Sequence, residues 1–482
     1  MKIKLNLKET ENHSIIPAEQ YGHFAEHLGR CIYGGIWSEE RQDYNENVVS
    51  ALKKLDIPVL RWPGGCFADT YHWRDGIGAP ETRPQTINTV WGWVPETNRF
   101  GTHEFFALCE ILGAKPYLAG NMGSGTVQEL ADWVHYCTSD LDTAITRERR
   151  ANGRVNAWKL PYVGIGNEAW GGGGLMSADY YTDCYRQWQG FVKSYDFSTP
   201  MQKIACGPNS DDYAWTERMM QRVDSSMMQG LALHYYTVPS GVWEKKGDAV
   251  RFSEDEYLDT IRRGCYMDEL LTKHSAVMDK YDPEKKIALA VDEWGAWYDT
   301  EKEENPAFLY QQNTMRDAIL AAMTLHIFHR HTDRVKMANL AQAVNVLQAL
   351  ILTRGEQVVC TPTYHVFEMF RHHQNAHLLD ISGDIGEENG LPQVSVIASR
   401  RDGETLITLC NPQLSPQVVE IGVSAAQKNV SARLLHDVMT ACNDFDTPER
   451  VKPMEITHQL EISENAITLT LPPVSVAAVT IR

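Results

Sequence analysis

Short apolar runs alternate with amphipathic segments over the first three quarters of the chain. Each run ends in polar residues, and the segment after it repeats apolar positions every three or four residues, as an α-helix does. This alternation predicts parallel strands joined by helices. Eight such units in roughly 350 residues favour a closed (β/α)8 TIM barrel over an open sheet. The predicted strands are 21–26, 57–65, 116–121, 162–168, 203–209, 231–236, 287–293 and 335–341.

The segments between these strands predict helices, with one exception. Thr126 and Glu129 have the spacing of a capping box, and Ser177 is placed to cap the helix that follows it. The exception, 66–100, is a long loop rich in tryptophan, and a loop of this length in a compact domain is usually functional. Predicted helices lie near 46–56, 102–113, 126–137, 177–188, 212–225, 254–280 and 308–330.

The pattern changes to strict alternation after about residue 376, which predicts a second domain. Four stretches there have a period of two and are separated by turn residues, as in an antiparallel β-sandwich of jelly-roll type. Residues 1–14 form an isolated weak strand without a local partner. We therefore divide the chain into a barrel at 15–375 and a sandwich at 376–482, which the strand at 1–14 is expected to join.

Two strands end in glutamate, and these residues suggest the chemistry. Glu168 follows the fourth predicted strand and Glu293 ends the seventh. A carboxylate at the exit of a buried strand is costly to desolvate unless it has a partner or a task. A structural ion pair would explain one such residue, but a barrel brings both to its C-terminal mouth, where active sites lie. Paired carboxylates are what glycoside cleavage requires, one as the acid and the other as nucleophile or base.

Other polar side chains also end predicted strands and are expected at the same mouth. Arg61 would keep a nearby carboxylate ionised, and Asn167 would hold a sugar hydroxyl. The sequence alone does not decide which glutamate is the acid. The full set of strand-end polar residues is Glu26, Arg61, Asn121, Glu168, Asn209, His234, Glu293 and Asn339.

The histidines do not predict a metal site, and no cofactor is expected. His329 and His331 are two positions apart at a helix end, so their side chains diverge. His23 and His27 have helical ligand spacing but lie on a predicted strand and its exit. We expect a solvated segment between the domains to carry His372, His373 and His377.

Charge and composition limit the partners of the chain. Its 482 residues carry a formal net charge of −18, which argues against nucleic acid as a partner but not against a neutral sugar chain. The first twenty residues have no apolar signal-peptide core, and no run is long enough to span a membrane. The ten cysteines lack Cys-x-x-Cys spacing, and several fall within apolar patterns. A cytoplasmic protein without disulfides is expected.

Together these motifs resemble the α-L-arabinofuranosidases of glycoside hydrolase family 51. The resemblance covers the whole barrel in order, and implies a retaining exo-glycosidase that removes terminal α-L-arabinofuranosyl groups from hemicellulose fragments and assembles as a homo-oligomer, with a hexamer favoured. The matching stretches are Phe24–Gly35, Arg61–Gly65, Gly164–Glu168, Asp292–Tyr298 and Asp333–Gln342.

The resemblance also implies residue roles. Glu168 would be the acid/base and Glu293 the nucleophile. Cys66 stands where many relatives have Asn, which puts one hydrogen bond in doubt. The residues expected to hold the furanose ring are Glu26, Asn167, Tyr236 and Gln342, and those expected to wall its pocket are Trp297 and either Trp91 or Trp93.

Three alternatives remain open from the sequence. A β-xylosidase, endoglucanase or xylanase could use the same scaffold, and an open cleft would favour an endo-acting enzyme. A metal-dependent barrel hydrolase would lose activity on chelation. A non-catalytic sugar-binding protein would show no turnover.

Overall fold

The computed structural model of the protein contains a closed barrel of eight parallel strands, which confirms the predicted fold class. The model describes residues 2–9, 14–302, 304–423 and 429–482. Barrel strands are neighbours in chain order, and the eighth pairs with the first through Asn339 and Gly22. The strands are Gly22–Phe24, Val59–Trp62, Lys115–Gly120, Tyr162–Ile165, Gln202–Ala205, Gly230–Thr237, Ala288–Ala296 and Val335–Leu340.

The helices around the barrel begin at side-chain caps that the sequence supplies. Thr126 accepts the amide of Glu129, but the Glu129 side chain bonds His72, so the predicted capping box is only half formed. Ser177 caps its helix as predicted. The helix predicted from 308 begins only at Met315, and Ala144–Ala151 is a helix that the pattern did not predict. A second helix that the pattern did not predict is Pro362–Phe370. The helices at predicted positions are Glu46–Lys53, Thr102–Leu112, Val127–Thr138, Ala178–Phe191, Tyr213–Arg222, Glu254–Asp279 and Met315–Arg330.

A ten-stranded, mostly antiparallel sheet forms the second domain around its own apolar core. Lys2–Glu9 lies inside this sheet, antiparallel to His377–Ser382 and parallel to Gln417–Gly422, with Ile3 opposite Val419. The remainder of the predicted strand at 1–14, residues 1 and 10–13, lies outside the described residues. The other strands are Ser395–Arg401, Glu404–Asn411, Val430–His436, Met454–Glu455, Glu461–Ile462, Ala466–Leu471 and Ser475–Ile481.

The long segment 66–100 is more ordered than the predicted loop. It contains three short 3-10 turns and a hairpin that pairs Thr86–Asn88 with Val94–Glu96. The tip of this hairpin packs against the segment after the seventh barrel strand. The contact is close at Gly92, where a Cβ would meet Asn305 and Phe308. The other hairpins pair Trp37–Ser38 with Asp43–Tyr44, Ile351–Arg354 with Gln357–Cys360, and Glu387–Glu388 with Leu391–Pro392.

The prediction that His373 is solvated is wrong. This histidine is fully buried between the barrel and the sheet, where Ser399 and Thr408 satisfy its two ring nitrogens. Its neighbours His372 and His377 are exposed. None of the helices within the described ranges has the length and apolar character needed to cross a bilayer.

Candidate active site

The ends of the fourth and seventh barrel strands bring Glu168 and Glu293 together at the C-terminal mouth. One side-chain oxygen of each glutamate and one ring nitrogen of His234 lie within 4.8 Å of one another. The two residues are 125 positions apart in the sequence, so only closure of the barrel brings them together. Glu168 is the more accessible, with 17% of its side chain exposed against 6% for Glu293.

A constrained turn directs the Glu168 side chain into the mouth. Glu168 has φ +39°, a left-handed conformation that costs a non-glycine residue about 1–3 kcal/mol and is concentrated at functional sites. Its carbonyl accepts the amides of Gly171 and Gly173 at 2.7 and 3.1 Å, so the glycine-rich loop holds the turn. Only glycine fits at 173, because a Cβ there would lie 2.1 Å from the Asn167 carbonyl oxygen.

An irregularity in the seventh strand turns two consecutive acidic side chains toward the barrel interior. Successive side chains of a regular strand point to opposite faces, so Asp292 and Glu293 would normally diverge. The pairing register shifts between Val291 and Trp294 on one side, and between Ala232 and His234 on the other. As in a β-bulge, this shift re-aims the side chains, and both carboxylates contact the same groups.

Each oxygen of Glu293 accepts a hydrogen bond. Arg61 donates to one at 2.8 Å, and the Tyr236 hydroxyl donates to the other at 2.8 Å. Arg61 also donates to the Asn167 side chain at 2.5 Å. A fully buried guanidinium and a phenol both favour the ionised form of the carboxylate they contact.

Asp292 contacts three residues of this network. The Tyr117 hydroxyl donates to it at 2.7 Å, the ring of His234 lies 3.1 Å away, and Arg61 lies within 3.6 Å. Burial raises the pKa of Asp292, but the charge of Arg61 and the bond from His234 outweigh burial and leave the pKa below its usual value. Asp292 is therefore ionised at neutral pH, and its carboxylate pairs with Arg61 and His234.

His234 connects all three carboxylates. Its Nδ1 lies 2.9 Å from Glu168 and 3.5 Å from Glu293, while its Nε2 faces Asp292. Burial disfavours the charged ring, but the Glu293 charge and the bonds to Asp292 and Glu168 raise the pKa of His234 to about 10. Both ring nitrogens of His234 face carboxylates, so Glu168, His234 and Glu293 form one hydrogen-bonded network together with Asp292.

Glu168 borders a cavity of about 650 Å³ whose lining does not include Glu293. The Cys66 thiol lies 3.4 Å from the second oxygen of Glu168. Trp297 packs edge-on against Tyr236 and against Trp243, with ring centroids 5.0 and 4.7 Å apart. The aromatic lining of the cavity is Trp170, Tyr235, Tyr236, Trp243, Tyr266 and Trp297.

A second cluster of polar contacts surrounds Glu26. Its carboxylate accepts the Phe67 amide at 3.0 Å, the Trp91 indole at 2.9 Å and the Gln342 amide at 2.9 Å. Burial first, and the charge of Glu293 second, raise the pKa of Glu26 to about 7 despite these three bonds. Trp91 thus contacts the site, whereas Trp93 is 75% exposed at the hairpin tip.

Comparison with known proteins identifies the family. Residues 51–255 match the model of the alpha-L-arabinofuranosidase 1 domain, and residues 292–475 match that of the alpha-L-arabinofuranosidase C-terminal domain. The chain is 47% identical to the intracellular exo-alpha-L-arabinofuranosidase of Bacteroides ovatus, over 97% of this chain and 93% of that protein. This chain belongs to the α-L-arabinofuranosidases.

Two solved arabinofuranosidase structures have the same fold as this chain, and the first of them is named as a member of glycoside hydrolase family 51. The GH51 arabinofuranosidase from Xanthomonas axonopodis pv. citri superposes with a TM-score of 0.94 at 42% identity, over all of both chains. The alpha-L-arabinofuranosidase from Thermotoga maritima, solved as an arabinose complex, superposes with a TM-score of 0.87 at 30% identity, over 99% of each chain.

The structure of this arabinofuranosidase brings the sequence-predicted site residues into two hydrogen-bonded groups. Glu26, Trp91 and Gln342 form one of them, and the charge of Glu293 acts on it by raising the pKa of Glu26. The other comprises Arg61, Cys66, Asn167, Glu168, His234, Tyr236 and Glu293, with Trp297 packed against Tyr236.

Three strand-end residues join neither group. Asn121 bonds the turn at 124–125, Asn209 lines the cavity beside Glu168, and Asn339 bonds the His23 carbonyl between strands. Sequence reasoning gave no role to Asp292 or Tyr117. Asp292 is next to Glu293 in the sequence, but the irregularity of the strand is what turns its side chain inward.

Glu26 is expected to make this arabinofuranosidase less stable as pH rises. With a folded pKa of about 7, above its unfolded value, the folded state retains a proton that the unfolded state loses. The free energy of unfolding should therefore fall between about pH 4.5 and pH 7, by up to about 3 kcal/mol from this group. Glu26→Gln should flatten that fall in urea titrations at a series of pH values, while Glu81→Gln, at an exposed carboxylate, should retain the wild-type slope. Equal slopes for wild type and Glu26→Gln would refute the assignment.

Proposed function

We propose that the protein is a retaining exo-α-L-arabinofuranosidase that acts on arabinose-containing hemicellulose oligosaccharides by two displacements. The observation that carries the proposal is the close approach of Glu168 and Glu293, whose nearest oxygens lie within 4.8 Å. Retaining glycosidases hold their carboxyl groups about 5–5.5 Å apart, whereas inverting enzymes leave about 6.5–9.5 Å for a water molecule. Family membership supports the choice of sugar.

Glu293 is the proposed nucleophile. Arg61 and the Tyr236 hydroxyl each donate to it, so its ionised form is stabilised before the substrate arrives. In the first step Glu293 attacks the anomeric carbon and forms a covalent glycosyl-enzyme. The bond to the leaving oxygen breaks as Glu168 protonates that oxygen.

Glu168 is the proposed acid/base, because the leaving group departs through the cavity that it borders. His234 supports both of its protonation states. Its Nδ1 lies 2.9 Å from Glu168, so the N–H of the charged ring can donate to the carbonyl oxygen of the protonated acid and to the carboxylate that remains after proton transfer. Ionised after the first step, Glu168 deprotonates the water that releases the sugar.

The pocket around Glu26 is the proposed furanose subsite. Its polar groups are almost fully buried, with Glu26 2% and Gln342 1% exposed, and Trp91 covers them. A closed subsite of this kind admits one terminal sugar, which favours exo over endo cleavage. In this proposal Asn167 and Tyr236 hold the sugar from the side of Glu293, and Cys66 and Trp297 complete the wall.

A panel of para-nitrophenyl glycosides and branched oligosaccharides tests this proposal. The α-L-arabinofuranoside should be cleaved at least about 100-fold faster than the β-D-xylopyranoside, because a site built on buried hydrogen bonds rejects a sugar that leaves them unpaired. NMR should show the first-formed arabinose in the anomeric configuration of the substrate. Oligosaccharide products from an internal cut, or a faster xyloside reaction, would favour a glucanase, xylanase or xylosidase.

Assembly and location complete the proposal. We take the protein to act inside the cell, because the Bacteroides ovatus relative is an intracellular enzyme by name. We also take it to form a homo-oligomer, with a hexamer favoured by the family resemblance. Sedimentation equilibrium at micromolar concentration would reject the oligomer if it gave the mass of one chain.

A further inference from the structure

The cavity beside Glu168 is bordered by an arginine side chain that has no role in the proposed mechanism. Glu168 lines this cavity, whereas Glu293, Glu26 and Gln342 do not, and the proposed mechanism takes it as the side of the leaving group. Its volume of about 650 Å³ is within the range of small-molecule sites. Half of its lining residues are aromatic, and Arg263, on the helix Glu254–Asp279, also borders it.

The guanidinium of Arg263 is held in place by the loop after the sixth barrel strand. Its Nε donates to the Pro239 carbonyl at 2.9 Å, and the hydroxyl of Tyr235 donates to the Arg263 carbonyl at 2.7 Å. The group also packs closely over Gly241, which has φ +70° and where a Cβ would lie 2.2 Å from Nη1. A cation held this way loses less side-chain entropy when it binds a ligand than a free one does.

Arg263 has no anionic partner in the described parts of the chain. No carboxylate oxygen of those residues lies within 4.0 Å of it, and neither Nη1 nor Nη2 has an acceptor there. Its neighbour Arg262 pairs with Asp259 at 2.6 Å. Arg263 is exposed at the cavity, so its guanidinium is accessible from the solvent. Two forked donors of Arg263 are therefore available to a ligand.

A second cation lies beside the same cavity. The ammonium of Lys246 sits over the ring of Trp243 at 4.6 Å and near that of Trp297 at 5.8 Å, and it donates to the Trp243 carbonyl. Two positive charges thus flank an aromatic cavity in a protein that is strongly negative overall. Aromatic faces suit a sugar ring, and a fixed guanidinium suits a carboxylate.

We propose that Arg263 binds a carboxylate on the leaving portion of the substrate, so that the protein prefers arabinofuranosyl groups attached to acidic sugars such as uronic acids. The inference rests on the proposed function, because it takes Glu168 to face the leaving group. The guanidinium donates Nη1–H and Nη2–H to the two carboxylate oxygens, while the sugar ring that carries them stacks on the cavity's aromatic residues.

A matched pair of substrates tests the proposal: an arabinofuranosyl-galacturonic acid and its methyl ester, which differ by one charge. At low salt kcat/KM for the acid should exceed that for the ester about tenfold, the size of one charge-assisted hydrogen bond in an open site. In about 1 M salt, where the Debye length is about 3 Å, the ratio should fall toward one. These two measurements need no variant.

Variants assign the effect to a residue. Arg263→Gln should bring the acid-to-ester ratio close to one, whereas Arg262→Gln, one position along the same helix, should keep the wild-type ratio. A wild-type ratio near one overturns the proposal, and so does a high ratio that survives in Arg263→Gln. If neither substrate nor para-nitrophenyl α-L-arabinofuranoside is hydrolysed, the proposed function fails as well; if all three are hydrolysed, only this inference is at stake.

Discussion

Glu293→Gln is expected to lower kcat on para-nitrophenyl α-L-arabinofuranoside by at least about 10⁴-fold. The change keeps the size of the side chain but removes the negative charge that attacks the anomeric carbon. It also leaves the Arg61 guanidinium facing a neutral amide, at a position where it now donates to a carboxylate at 2.8 Å. Because the nucleophile acts in the first step, the loss should be the same for good and poor leaving groups.

Steady-state rates with Glu81→Gln as the matched control check this expectation. Glu81 is an exposed carboxylate in the segment 66–100, so its variant should retain the wild-type rate. Circular dichroism would establish that the Glu293 variant is folded. A residual rate above about one hundredth of wild type would mean that Glu293 does not form the covalent bond.

Glu168→Ala is expected to show a loss that depends on the leaving group. A para-nitrophenolate leaves without a proton, so the first step should be nearly unaffected, and the glycosyl-enzyme should accumulate because no base activates water. An arabino-oligosaccharide needs the acid, and its turnover should fall by about 10²–10⁴-fold. Intact-mass measurement after mixing with the aryl substrate should find the variant heavier by one anhydropentose unit.

Azide provides the complementary test, because it attacks without needing a base. It should restore turnover of the aryl substrate by Glu168→Ala and give an arabinosyl azide with the substrate's anomeric configuration. In Glu293→Ala any azide product should have the opposite configuration, because only one displacement occurs. Rescue with opposite configuration in Glu168→Ala would exchange the two roles, and wild-type rates in both alanine variants would remove both residues from the mechanism.

Much of the barrel could be predicted because each strand is a short apolar run with its polar residues at one end. The same logic failed where local pattern and tertiary environment disagree. The helix Ala144–Ala151 escaped prediction because it carries three arginines and has only two buried residues, Thr146 and Arg149. His373 follows another histidine in a polar stretch, yet hydroxyl groups from the distant sheet satisfy both of its ring nitrogens.

The glutamate pair could be predicted from strand ends, but its supporting residues depend on three-dimensional closure. Tyr117 reads as an ordinary strand residue, and only its bond to Asp292 across the barrel gives it a role in the site. Arg263 lies on a helix surface beside another arginine, and nothing local distinguishes the paired cation from the unpaired one. Such contacts join residues that are far apart in the sequence, and the local spacing of apolar and polar residues does not predict them.

The strand Lys2–Glu9 has a consequence for how the chain is made. Its first partner in the sheet is His377–Ser382 and its second is Gln417–Gly422, so this strand has no neighbour in its sheet until the whole barrel has been synthesised. At about 5–20 residues per second this wait lasts about 20–80 seconds. The barrel can close during that interval, whereas the second domain can form only after its later strands have been made, and protease sensitivity of stalled nascent chains should record that order.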